Sequence, residues 1–230
     1  MPATSRQTAL LLGASRGLGL GLAREYLSRG WRVIATARDN AKQLEALAKE
    51  AQGNLRIERA DIADTDSVAE LRDKLGDEKL DLLFVVAGIS GSVPAPLHEV
   101  SPDEAARVFL VNAYFPIAAA ETFVDLLKPK GTVAFMSSRL GSIELNDYGS
   151  WETYRLSKAA LNMGSRSFFH RHAEYAVLSI SPGWVRTDMG GSSATFDVET
   201  SCRNVADAIA RHAGKPGNRY VNYDGAELPW

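Results

Sequence analysis

A chain of 230 residues, 45% hydrophobic and 23% charged, has the composition of a soluble globular protein of α/β size and excludes disordered, fibrous and low-complexity classes. Its formal net charge of −2 excludes broad electrostatic attraction to nucleic acid or anionic membrane surfaces. One cysteine, Cys202, excludes an intrachain disulfide and predicts a reducing, cytoplasmic setting.

Thr8–Leu12 reads as the first strand, too short for a signal h-region, and no apolar run approaches the length of a membrane span. Gly13-Ala14-Ser15-Arg16-Gly17-Leu18-Gly19 follows and opens a helix over Leu18–Ser28. Two chemistries fit this turn. Glycine lets a ligand approach the backbone, and free N–H groups at the helix start, backed by the helix dipole, attract a phosphate. The same residues spell Gly13-x-Ser15-x-Gly17, a nucleophile elbow, with a later Asp and His212 available to complete a hydrolase triad. Against the second stands its place on the first strand and the lack of a His-Gly-Gly oxyanion motif.

Further strands are expected at Trp31–Ala37, Leu55–Arg59, Leu80–Val86, Thr132–Met136, Val177–Ile180 and Arg219–Asn222. Helical patterns lie between them at Ala41–Ala51, Asp66–Leu75, as a pair within Pro102–Leu127, at Glu152–Ala173 and at Val198–His212. Several strands are apolar almost throughout, the pattern of a parallel sheet covered on both faces. The alternation predicts an α/β, Rossmann-type doubly wound parallel sheet of about seven strands in one domain spanning residues 1–230. The histidines, His98, His170, His172 and His212, form no metal-binding pattern and are expected at the solvated surface.

The most informative spacing is Tyr154-x-x-x-Lys158, on one face of the long helix, with Ser137-Ser138 ending the apolar strand upstream. An ammonium beside a phenol favours the phenolate, so Lys158 is expected to lower the Tyr154 pKa from about 10 toward neutrality. Tyr154 would then give and take a proton near pH 7, while Ser138 offers a second hydroxyl to a substrate carbonyl oxygen.

Together, the glycine turn, Ser138, Tyr154 and Lys158 resemble the short-chain dehydrogenase/reductase family, and the resemblance runs along essentially the whole chain. Leu12 stands where the family's turn usually has Thr. Asp61-Ile62 matches the acid and its neighbour that contact adenine, Ala87-Gly88 the end of the family's Asn-Asn-Ala-Gly stretch, and Asn112 an asparagine that positions a relay water. Pro182, Gly183, Val185 and Thr187 match the segment that holds the nicotinamide carboxamide. The resemblance implies a cofactor-binding part over about 1–110 and a catalytic part over about 111–230. It also implies a cofactor site of Gly13, Ser15, Arg16, Gly17, Leu18, Gly19, Arg38, Asp61, Ile62, Ala87, Gly88, Tyr154, Lys158, Pro182, Gly183, Val185 and Thr187. Its catalytic set is Asn112, Ser138, Tyr154 and Lys158.

Two departures stand out. Val85-Val86 replaces both amides of Asn-Asn, and Ser138 lies three residues farther from the tyrosine than is usual, an insertion within Arg139–Thr153. The segment Tyr223–Trp230, like Arg155–Asn162 and Pro182–Gly191, is similar to the C-factor and sniffer-like carbonyl reductases; on packing grounds alone Trp230 merely fills a gap.

NAD-preferring members carry an acid after the second strand. Here Arg38 stands there, and with Arg16 it could grip a 2′-phosphate, so NADP(H) is the expected cofactor; Asp39 keeps NAD(H) in view. The expected reaction is carbonyl reduction, by hydride transfer, of a small hydrophobic ketone or aldehyde (or its alcohol in reverse). Ile89, Tyr148, Trp151, Trp184 and Met189 are taken as apolar pocket walls, and Asp188–Asp197 as a lid. Relatives pair through helices matching Asn112–Leu127 and Glu152–Ala173, which predicts a homodimer with Phe168-Phe169 at the interface or in the core. An NADP-binding regulator with little turnover is the alternative.

Overall fold

A computed structural model describes residues 6–39 and 41–230. The elements follow in the order β1 (Thr8–Leu12), α1 (Gly17–Ser28), β2 (Arg32–Ala37), α2 (Lys42–Glu50), β3 (Leu55–Arg59), α3 (Thr65–Leu75) and β4 (Leu80–Val85). They continue with α4 (Pro102–Phe109), α5 (Phe115–Phe123), β5 (Leu127–Met136), α6 (Glu152–Arg171), β6 (Ala176–Ser181), α7 (Val198–His212) and β7 (Gly217–Asn222). All seven strands are parallel in the order β3-β2-β1-β4-β5-β6-β7.

Strand residues alternate between two cores, as a two-residue side-chain period requires. Ala9, Leu11, Val33, Ala35, Leu82 and Phe84 pack against α1, α2 and α7. Leu10, Leu12, Ile34, Leu83, Val85 and Phe135 pack against α3, α5 and α6. Val85 therefore takes its place in the second core, where the family's amide would stand. Phe168 is fully buried with its ring edge-on to Phe135, centroids 6.0 Å apart, which places it in the core rather than at an interface.

The helix pair in Pro102–Leu127 forms one nearly continuous run, α4 joined to α5 by a π-turn at Leu110–Tyr114. Contrary to the sequence reading, an 18-residue stretch within Pro102–Leu126, with mean hydropathy 1.2, meets the length and composition of a membrane span. One face of the run, with Val108, Ala113, Ala119, Ala120 and Phe123, is buried, all but Val108 in the second core, while Phe109, Leu110 and Tyr114 are exposed.

Side chains cap α3, α4 and α7: Asp64, Ser101 and Asp197 accept from N–H groups of the first turn. The N-terminus of α1 has no such cap. It lies beyond the carboxyl end of β1, beside the point where the strand order reverses and open α/β sheets bind ligands.

Candidate active site

The glycine turn is shaped by its neighbours. Gly13 has φ +93°, and a Cβ there would lie 2.7 Å from the Ala87 Cβ, so β1 and the end of β4 approach as closely as backbone permits. Ala87 and Val86 both donate their N–H to the Leu12 carbonyl, at 3.1 and 2.9 Å. Where the family has Thr, Leu12 has no hydroxyl, and Thr36 Oγ1 on β2 accepts from the Gly13 N–H at 2.9 Å instead. The N–H groups from Ser15 to Gly19 meet no acceptor among the described residues. Such a row of free donors at a helix start suits a pyrophosphate.

Around this turn the structure gathers most of the expected site. Thr187 faces Gly17, whose added Cβ would lie 3.7 Å from the threonine methyl, and Arg16 is ion-paired with the next residue, Asp188. The loop after β6 thus reaches back over the turn. It is braced internally by Trp184, whose indole N–H donates to the Gly190 carbonyl at 2.9 Å, and by Val185, bridged to Phe196. Arg38 lies 3.7 Å from Asp61, and both Arg16 and Arg38 are mostly exposed. The two cations expected at a 2′-phosphate therefore already have carboxylate partners. Exposed pairs of this kind contribute little, about 0–1 kcal/mol, and exchange readily. Asp61 Oδ1 also accepts from the Ala63 N–H at 3.0 Å, and Ile62 is buried beside it.

Ser138, Tyr154 and Lys158 meet where β5 ends and α6 begins. The Lys158 amine is buried, donates to the Met136 carbonyl at 2.8 Å and lies 5.6 Å from the centre of the Tyr154 ring. Gly88 comes against the same place: a Cβ there would stand 3.4 Å from the amine and 3.2 Å from Asn112 Oδ1. Trp151 is set edge-on to Tyr154, centroids 6.0 Å apart.

The charge balance reverses the sequence expectation. Burial raises the Tyr154 pKa to about 12, and its hydrogen bond with Ser138 offsets only part of that. Burial also lowers Lys158 from 10.5 to about 7. Both side chains are nine-tenths buried or more, so loss of water disfavours phenolate and ammonium alike. The phenol stays protonated at neutral pH, and the lysine is the group that titrates there.

Asn112, in the π-turn, is fully buried. Its Oδ1 accepts from the Ile89 N–H at 2.8 Å, while Nδ2 donates to the Ile89 carbonyl and to Ser157 Oγ, at 2.7 and 3.0 Å. Its amide is thus committed to the loop after β4 and to α6. Ile89 is held as part of this brace. Tyr148, Trp184 and Met189 are exposed on the loops after β5 and β6, as is Ile143, which the sequence did not single out.

Other expectations fail to meet. His212 lies among Arg219, Glu227, Lys215 and Arg211 rather than beside Ser15, so no hydrolase triad forms. His172 is not a solvated surface group: its Nε2 is 2.7 Å from Glu121 Oε2 and its ring packs on Phe168. Among the described residues no group of three or more His, Cys, Asp or Glu is placed to hold a metal ion. Sequence reasoning also missed Thr36, Asn162, whose Oδ1 accepts from Ser137 Oγ at 2.7 Å, and Tyr220, which bonds to the Ser138 carbonyl; these roles come from contacts between distant segments.

A doubly wound parallel sheet with an uncapped glycine turn at its switch point and a hydroxyl, a phenol and an amine gathered beside it defines a dinucleotide-dependent oxidoreductase. The family model described as short chain dehydrogenase matches residues 7–197, and the chain belongs to that family. It is 36% identical over 155 residues to the C-signal protein of Myxococcus xanthus, covering 66% of this chain and 93% of that one. A solved short-chain dehydrogenase/reductase from Burkholderia multivorans with bound NADP superposes at a TM-score of 0.95 with 40% identity, over 98% of this chain and 100% of the other. The carbonyl reductase Sniffer of D. melanogaster superposes at 0.87 with 33% identity, over 98% and 100%. These relatives are of the branch that the segment after β7 resembles.

Proposed function

We propose that this protein is an NADP(H)-dependent carbonyl reductase acting on a small hydrophobic ketone or aldehyde. The observation that carries the reading is the convergence of Ser138, Tyr154 and Lys158 beside a glycine turn whose N–H groups are unengaged. The NADP bound to the Burkholderia multivorans relative and the activity named for Sniffer support it.

The residues present fit the cofactor. The Ser15–Gly19 N–H groups would hold the pyrophosphate, Arg16 and Arg38 the 2′-phosphate, Asp61 and Ile62 the adenine, and Pro182, Gly183, Val185 and Thr187 the nicotinamide amide. Gly88 leaves room beside Lys158 that any Cβ would take up. Bound NADPH supplies a hydride to the carbonyl carbon. Tyr154 donates its phenolic proton to the carbonyl oxygen as negative charge develops there, and the product is the alcohol. Ser138 donates a hydrogen bond to the same oxygen. A phenol held protonated up to about pH 12 is loaded as an acid at neutral pH. Lys158, poised at about 7, can release and regain a proton in the working range.

Titration with NADPH and NADH by fluorescence, followed by a carbonyl panel read through NADPH absorbance, tests the reading. Tight NADPH binding without oxidation across the panel would instead favour the regulator. Arg38→Ala is expected to lower kcat/KM for NADPH by about ten- to a hundredfold, the worth of one or two charge-assisted hydrogen bonds, and to leave NADH nearly unaffected. Equal losses with both cofactors would remove Arg38 from the 2′-phosphate site.

The exposed apolar residues Phe109, Leu110 and Tyr114 on the α4–α5 run, with Leu156 and Met163 on α6, support a homodimer through these helices. Sedimentation as a monomer at assay concentrations would rule it out.

A further inference from the structure

The catalytic serine is held from behind by a strand that takes no part in the proposed chemistry. Tyr220, on β7, is 1% exposed, and its hydroxyl donates a hydrogen bond to the main-chain carbonyl of Ser138. The same carbonyl accepts from the Gly141 N–H at 2.8 Å, so both of its lone pairs are used. Burial raises the Tyr220 pKa, so the hydroxyl remains a donor at every working pH. The Tyr220 ring is stacked on Trp230, centroids 5.4 Å apart and planes 27° from parallel.

The segment after β7 grips the loop beyond Ser138 at two more points. Ser142 Oγ donates to the Pro229 carbonyl at 2.8 Å, and the Ile143 N–H donates to the Trp230 carbonyl at 2.7 Å. The Leu228 N–H returns to the Tyr220 carbonyl at 2.8 Å, closing the segment onto β7. The Ser138 carbonyl is therefore held by Tyr220 and Gly141, the N–H of the same peptide donates to Ser181 Oγ at 3.0 Å, Ser138 Oγ accepts from the Leu140 N–H at 3.2 Å, and the turn that follows is fixed by Pro229 and Trp230.

From this geometry we infer that Tyr220, backed by Trp230, is a positioning residue that sets the direction of the Ser138 hydroxyl toward the substrate oxygen. A rotation of the Ser138 peptide would swing Oγ away from Tyr154 without disturbing the glycine turn, whose partners are on β2, just after β4 and in the loop after β6. The inference rests on the catalytic reading of Ser138. It predicts a loss in kcat with cofactor affinity preserved, because oxyanion-type donors act only where geometry is held within a fraction of an ångström.

Kinetics of Tyr220→Phe, alone and combined with Ser138→Ala, with NADPH affinity read by fluorescence, make the test. Ser138→Ala alone is expected to lower kcat by about 10²–10³-fold. Tyr220→Phe keeps the buried ring and its stack and is expected to lower kcat by about tenfold, with NADPH affinity held within about twofold. In the Ser138→Ala background the same change is expected to have less than about a twofold effect, since a residue acting through Ser138 has nothing left to position. Equal losses in both backgrounds, or no loss in the native one, overturn the inference and leave the role of Ser138 standing. Full activity in Ser138→Ala overturns that role, and the inference with it. Should Tyr220→Phe fail to fold, Trp230→Ala and Trp230→Phe decide. The alanine variant is expected to lose kcat only when Ser138 is present and the phenylalanine variant to restore it, and a loss that Trp230→Phe does not restore, or that persists without Ser138, overturns the inference.

Discussion

Tyr154→Phe is expected to lower kcat for carbonyl reduction by about 10²–10⁴-fold, the range for loss of a positioned general acid. The phenylalanine ring keeps the edge-on contact with Trp151 and the burial of the native side chain, so the fold and NADPH binding are expected to persist. The missing atom is the phenolic oxygen, which Ser138 alone cannot replace as a proton source. With the phenol pushed up to about 12, its titration leaves no mark on the neutral part of the rate profile. The acid–base limb of kcat/KM in the free enzyme should instead appear near 7 and belong to Lys158. Turnover above about a tenth of native in Tyr154→Phe would remove it as proton donor. A limb near neutrality that survives loss of the lysine would assign that titration elsewhere.

The sequence carried the sheet because most strands are short apolar runs between amphipathic helices, and most strand bounds agree within two residues. The exception is β5, which starts at Leu127 rather than Thr132. Pro129 and Gly131 interrupt the apolar pattern ahead of Thr132. The structure instead pairs Leu127 with Leu80 across an irregular register, and Lys128 is anchored to Asp81 at 2.7 Å. A π-turn at Asn112 has no signature of its own in composition or spacing.

The site was legible as far as local spacing reaches. Tyr154 and Lys158 share a helix face, and the glycine turn is contiguous. Whatever depended on the surroundings was not legible. An i, i+4 tyrosine–lysine pair in water favours the phenolate, and only the depth of burial reverses that sign. The pairing of Arg16 with Asp188 and the bond from Tyr220 to Ser138 join segments 172 and 82 residues apart, beyond the reach of any periodicity.

Lys158→Met should separate function from stability. Turnover and NADPH affinity are both expected to fall, since the amine stands beside the phenol and the cofactor groove. Stability is expected to move the other way at neutral and acid pH. The folded-state pKa of Lys158 is about 7, well below its ordinary 10.5, so between these values the unfolded chain binds a proton that the native protein lacks. Stability from this group therefore rises with pH from about 7 to about 10, and below about 7 the native state bears the whole penalty. A fall from 10.5 to about 7 corresponds to at most about 5 kcal/mol. Methionine removes that penalty but leaves the buried Met136 carbonyl without its donor, a loss of about 1–3 kcal/mol. A net gain of about 2 kcal/mol at pH 6 would raise Tm by roughly 4–8 °C in a chain of this size. Melting curves of both proteins at pH 6 and pH 9 decide the matter, and the advantage of the variant should shrink as pH rises. An advantage independent of pH, or none at pH 6, would mean that the buried amine is not the strained group.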